Sequence, residues 1–292
     1  MSLATRRRAA AARMNATALE ASVKPAASVD NPNVSLARRR RARALGEQHA
    51  KDAAKAPAAE APQPGNPGAS EYELQKARLG VDLRRLSEIQ SVERKIALKH
   101  DLLPAYREWV DGVLAADSGP DDVILAYCMI WAIDVGDYGA ALPMIEYVLR
   151  HDLPLPERFD RTAPTLIVEE IAEAALRLMG TAKLDKIDAD KLAPFETAPP
   201  ILGYIVDLAG THDMPDPVKA KAHKALGLMT QRSGLLLDAD ADGPAGTKRA
   251  LYEVALAHFR RAFELDEKIG VKKRIEQLDK EVAHLAAEQG GE

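Results

Sequence analysis

The sequence predicts an all-α protein, built of helical hairpins of tetratricopeptide-like character behind a disordered basic N-terminal arm. Three observations carry that reading. Aromatic residues make up only 4% of the chain while Ala, Leu and Glu abound, which favours helix over sheet. From residue 71 onward, apolar residues recur at spacings of three and four, the period of an amphipathic helix. Charge is also split by position. Residues 1–55 hold nine Arg and three Lys against Glu20, Asp30, Glu47 and Asp52, a net of +8; the chain as a whole is −4, so residues 56–292 carry −12.

In chain order, residues 1–55 alternate Ala with Arg and offer few large apolar groups, so burial cannot offset their chain entropy. Within them, residues 35–55 lack Pro and suit a basic helix on a surface that neutralises it. The Arg- and Ala-rich start resembles an organelle presequence, but the second Arg cluster at 38–43 lies far for one. Residues 56–70 place four prolines in fifteen positions, a semi-extended linker. Leu79, Leu83, Leu86, Ile89, Val92 and Ile96 then predict one amphipathic helix running to about His100, before Pro104. A second helix follows through Tyr106, Trp109, Val110 and Val113.

Ser118-Gly-Pro-Asp121 reads as a cap with Pro in the first turn, opening a helix through Ile133. Asp134-Val-Gly-Asp137 is a short turn, and 138–151 is helical again. The small residues Ala140 and Ala141 suit close approach of the pair. Pro164 starts a helix through Val168, Ile171, Ala175 and Leu178, and a weaker one covers 201–208. Asp216-Pro217 reads as an N-cap followed by Pro, opening 218–231. Residues 256–265 complete a second hairpin. Val271, Ile275, Leu278, Val282 and Leu285 then form a 4-3-4-3 seam, too short for a free coiled coil and expected to pack on that hairpin.

The chain has one cysteine, Cys128, set in an apolar run, which excludes an intramolecular disulfide framework and reads as a buried thiol. No apolar stretch approaches the roughly 18–20 residues of a membrane span, so a soluble protein in a reducing compartment is expected. The histidines show no metal-ligand spacing, and no Walker A pattern, nucleotide-binding glycine loop or nucleophile elbow is present. Asp238, Asp240 and Asp242 resemble the start of a calcium loop, but position 12 is Arg249 rather than Glu. Asp134, Asp137, Glu169, Glu170 and Glu173 are the carboxylates that a Mg²⁺-dependent nuclease would use; as turn formers and as acids in the first turns of a helix they also have structural readings.

The basic arm is the positive signal. Arg6, Arg7, Arg8, Arg13, Arg38, Arg39, Arg40, Arg41 and Arg43 suit bidentate phosphate contacts with a steep salt dependence. Without interleaved aromatics the arm is poorly suited to stacking single-stranded bases, which favours duplex DNA.

Several stretches together resemble one known family: Trp131-Ala-Ile-Asp-Val-Gly-Asp137, Ala140-Ala-Leu142 with Tyr147-Val-Leu149, and Thr162-Ala-Pro164 with Glu169-Glu170. Asp213-Met-Pro-Asp-Pro-Val-Lys-Ala-Lys-Ala-His-Lys224 and Gly270-Val-Lys-Lys-Arg-Ile-Glu276 complete the set. Their order and spacing are similar to the small terminase subunit of temperate, contractile-tailed bacteriophages, over about residues 72–285. The resemblance implies a component of the genome-packaging motor in the cytoplasm of the bacterial host. It would recognise the packaging site on phage DNA, recruit the ATPase-bearing large subunit and assemble as a homo-oligomer. Members are often labelled endonuclease subunits, yet no residue here matches a catalytic motif, so no catalytic residue, cofactor or metal is assigned. Mg²⁺ enters only if the chain is a nuclease cutting cohesive ends; a peptide-binding scaffold unconnected with DNA is the third alternative. The expected organisation is a DNA-contacting arm (1–55), a linker (56–70), a helical core with the oligomerisation region (71–210) and a C-terminal part (211–288) for docking the large subunit.

Overall fold

The computed structural model describes residues 70–117, 119, 122–180, 183–237 and 247–289, and every regular element among them is helical. The nine arm arginines, the linker up to residue 69 and the Asp238, Asp240 and Asp242 loop lie outside the described residues.

Helix α1 (Glu71–Glu88) starts on the last residue of the expected linker, where the Ser70 hydroxyl accepts a hydrogen bond from the Glu73 N–H at 3.3 Å. The single helix expected to reach His100 is in fact two. Ile89 turns extended (φ −86°, ψ 127°) and ends α1, and Ser91 caps α2 (Val92–Leu102) by accepting from the Arg94 N–H at 3.3 Å. A serine side chain satisfies a free helix-start N–H and so competes with helix continuation, which the apolar period alone does not register. A 3₁₀ turn, Leu103–Tyr106, leads into α3 (Arg107–Ala116). Buried Asp82 ties this region together, accepting from the Tyr106 hydroxyl at 2.7 Å and from Arg85 at 2.9 Å.

Helix α4 (Val123–Val135) is buried on all sides, Ile124 through Ile133 without a break, and forms the centre of the fold. Its cap is Asp122, not the expected Ser118–Asp121 segment, of which only Gly119 is described. Asp122 accepts from the Ile124 and Leu125 N–H groups at 2.8 and 2.9 Å and from the Trp109 indole at 2.9 Å, so one carboxylate starts α4 and anchors α3. The predicted turn follows. Gly136 takes φ 80°, which a side chain would disfavour, and Asp137 caps α5 (Tyr138–Arg150) by accepting from the Ala140 N–H at 3.0 Å. Helices α4 and α5 pack together as the expected hairpin, with Ala141 fully buried.

Helix α6 (Ala163–Met179), with Pro164 in its first turn, packs against α4 and α5. Residues 184–195, which carry little periodicity, form two 3₁₀ turns around a four-residue helix α7 (Ala189–Leu192) and bury Leu192 and Phe195. Helix α8 (Ile201–Thr211) packs on α6 and on α9 (Asp216–Leu236). The expected Asp216 cap is corrected here. Pro215 holds the N-cap position and Asp216 is the first helical residue, with no side-chain capping bond. The carboxylate still faces the positive end of the helix, where the macrodipole favours it.

Helices α9 and α10 (Thr247–Leu265) make the most extensive helix–helix contact among the described residues. A Cβ on Gly227 would lie 2.7 Å from the Phe259 ring, and one on Gly234 would lie 2.5 Å from the Tyr252 ring. Two aromatic rings seven residues apart thus seat on two glycines seven residues apart. Helix α11 (Lys272–Gln289) packs on α10 as the seam predicts, burying Val271 and Leu278, with Arg260 bridging to Asp279 at 2.7 Å. The apolar core runs continuously from Leu79 to Leu278. Among the described residues no helix is long and apolar enough to cross a membrane.

Candidate functional site

The five carboxylates singled out in the sequence occupy two neighbouring places, the α4–α5 turn and the middle of α6, where Glu169, Glu170 and Glu173 lie beyond the first turn and so beyond the reach of the helix-start dipole. Each has a protein partner. Asp134 accepts from the Lys99 ammonium of α2, and Asp137 is committed to the α5 cap. Glu169 and Glu173, one turn apart on α6, do share a face and do hold a cation. The cation is Lys221 of α9, whose ammonium lies 2.8 Å from Glu169 and 2.7 Å from Glu173. Arg161 reaches Glu169 at 2.8 Å and Glu170 at 3.7 Å, and Arg177 stands 3.9 Å from Glu173.

The electrostatics follow from this crowding. Burial raises the Glu170 pKa, and the nearby charges of Asp134 and Glu173 push it the same way, partly offset by Arg161 and Arg177. Burial acts to lower the Lys221 pKa, but its hydrogen bonds to Glu169 and Glu173 outweigh that, and the net shift is upward. The ammonium therefore stays charged and is shared between the two carboxylates. Among the described residues, no three His, Cys, Asp or Glu side chains gather into a group able to hold a metal ion. Charge pairs thus join α2 to α4 and, separately, α6 to α9. Lys221 escapes sequence reasoning because it pairs across 52 and 48 residues; the one available signal is its place in the distinctive 213–224 stretch.

Beside this network, an open cleft of about 560 Å³ lies where α6 and α9 both begin, lined by Asp160, Arg161, Asp213, Asp216 and Lys219. Its charges are of both signs. Cys128 is buried as expected, with burial first and Asp122 second pushing its thiol up to about 12, so it is no nucleophile at neutral pH. The sequence did not mark His223 and His258 as a pair. Their Nδ1 atoms lie 3.1 Å apart across α9 and α10, and burial lowers both pKa values, that of His223 to about 4.

The described core coincides with the regions that resemble known proteins. Residues 76–217 match the family model of the phage small terminase subunit. The chain is 37% identical over 214 residues to the "Terminase, endonuclease subunit" of Escherichia phage P2, covering 73% of this chain and 75% of that protein. It is 22% identical over 211 residues to the "Probable terminase, endonuclease subunit" of Haemophilus phage HP1 (strain HP1c1), covering 71% of this chain and 69% of that one. No solved structure matches. On the extent and identity of the phage P2 match, together with the family model, this chain belongs to the phage small terminase subunit family.

Proposed function

We propose that the chain is a non-catalytic DNA-packaging adaptor. Its N-terminal arm contacts duplex phage DNA at the packaging site through Arg6, Arg7, Arg8, Arg13, Arg38, Arg39, Arg40, Arg41 and Arg43. The helical body at 71–210 assembles as a homo-oligomer, and the C-terminal helices at 211–288 dock the large subunit that carries the ATPase. The work takes place in the cytoplasm of the bacterial host during phage assembly. The observation that carries this reading is the charge split. The +8 of residues 1–55 is joined to a body of −12, so a polyanion is drawn to the arm and repelled by most of the rest.

The test is duplex binding across a salt series by the full-length protein and by a variant with the nine arm arginines changed to Ala. Affinity and salt slope should both fall, the slope by about 0.9 for every phosphate that the variant no longer neutralises. Equal binding and slope would remove the arm as the DNA contact.

The names of the phage P2 and HP1 relatives favour a second reading, a Mg²⁺-dependent endonuclease. Its ligands would come from Asp134, Asp137, Glu169, Glu170 and Glu173. Protein cations and a backbone N–H already engage these groups, which is why the adaptor reading stands first. Nicking of phage-end DNA in Mg²⁺ by the purified chain, without the large subunit, would reverse that order.

A further inference from the structure

Helix α2 is thinly covered, with Leu102 its one buried residue, yet one of its charges is set partly into the body. Lys95 is partly buried and enters no ion pair or hydrogen bond among the described residues. Lys99, one turn further on and so on the same face, is taken by Asp134 of α4. Arg158 approaches from the segment between α5 and α6. Its guanidinium lies 4.6 Å from the Tyr127 ring of α4 and 4.6 Å from the Phe159 ring, which fix its place. Burial lowers the Lys95 pKa, and the charges of Lys99 and Arg158 push it the same way. The acids of α2, Glu93 and Asp101, lie on other sides of the helix by their spacing from Lys95. Like charges gathered where hydration is reduced repel one another, and an anion placed among them removes that cost.

We propose that Lys95, Lys99 and Arg158 form a phosphate seat on the helical body, where a phosphodiester of duplex DNA is held in addition to the contacts of the arm. The proposal rests on the DNA-binding reading above and adds to it a contact from the folded part of the chain. Arg158 offers a planar fork matched to two phosphate oxygens, and Lys95 a compact point charge beside it. Lys99 stays on Asp134 and adds its field rather than a contact. The seat opens onto solvent, because Lys95 and Arg158 are only partly buried and the neighbouring Arg94 is exposed. That suits a long polymer better than a small enclosed anion. The arm supplies most of the charge, whereas a seat built on packed helices fixes where the duplex lies against the body.

Duplex binding across a salt series tests this on the full-length chain, with wild type, Lys95→Gln, Lys95→Arg and, as a control for bulk charge, Lys191→Gln on exposed α7. Lys95→Gln should bind severalfold more weakly, with a salt slope smaller by about 0.9, while Lys95→Arg and Lys191→Gln should match wild type. Thermal melts without DNA separate this role from a structural one. Removing an unpaired cation relieves repulsion, so Lys95→Gln should melt at or above wild type; a lower melting temperature would make Lys95 a support of the fold and overturn the seat. Wild-type affinity and slope in Lys95→Gln would also overturn it, and would leave the arm standing if the nine-arginine variant still loses binding. A wild type that binds no duplex would sink the DNA reading and this proposal together. Inorganic phosphate that raises the melting temperature of wild type but not of Lys95→Gln, with duplex binding equal in both, would overturn DNA as the ligand in favour of a small anion.

Discussion

The Lys221 ammonium lies 2.8 Å from the Glu169 carboxylate, so a cation of α9 fills the place on α6 where a metal ion would otherwise be sought. The side chain of Lys221 is 26% exposed and that of Glu169 17%. This is a partly desolvated pair whose removal leaves two acids, Glu169 and Glu173, short of their partner.

Lys221→Met should therefore destabilise the fold by about 1–3 kcal/mol, more than a surface ion pair and less than a fully buried one. Urea denaturation followed by dichroism measures it. A loss below about 0.5 kcal/mol would place the bridge among ordinary surface pairs. The same variant offers a check on the nuclease alternative. If Glu169 and Glu173 bind Mg²⁺ once Lys221 is gone, Mg²⁺ should raise the melting temperature of the variant and leave that of wild type unchanged.

Gly227→Ala tests the packing of α9 on α10, because two effects predict opposite signs. Helix propensity alone favours Ala by up to about 1 kcal/mol. A Cβ 2.7 Å from the fully buried Phe259 ring has nowhere to go, and such overpacking costs about 1–3 kcal/mol. Net destabilisation is expected in chemical denaturation, with part of the loss recovered in the Gly227→Ala, Phe259→Leu double variant.

The His223–His258 pair predicts a pH dependence. In the unfolded chain both titrate near 6.5; in the folded chain both are lowered, His223 to about 4. Between those values the unfolded state binds more protons, so stability is full above about 6.5 and declines as pH falls toward 4. Burial is the main cause. The mutual His repulsion and Arg261 add to it for His223, while Glu264 opposes it there and Asp207 of α8 opposes it for His258. Thermal melts of wild type and His223→Gln, His258→Gln from pH 4 to 8 should show a flatter slope for the variant in that window.

Much of the fold is legible in the chain because helix period and punctuation are local. Asp134–Asp137 could be read as a turn, and Val271 and Leu278 as a buried seam, since each depends on neighbours within a few residues. The break at Ile89–Ser91 was not legible. Apolar spacing runs straight through it, and only the competition between the Ser91 hydroxyl and helix continuation divides α1 from α2. Asp216 was misplaced by one position for a related reason: a proline on either side of it permits two helix starts.

At the candidate site, residue types were visible and pairings were not. Glu169 and Glu173 could be placed on one face by their spacing, but not with Lys221; Asp134 could be placed in a turn, but not against Lys99 across 35 residues. By itself the sequence determined the all-helical class, the stops and starts with strong local chemistry, the charge split and the family resemblance. Only the tertiary structure decided that the clustered acids are held by protein cations, that glycines of α9 receive the rings of α10, and that α2 is left with an uncovered face. Local hydrogen bonding and apolar period act over one helical turn and are written in adjacent residues. Charge pairing and burial are set by which helices meet, and that depends on the whole chain folding at once.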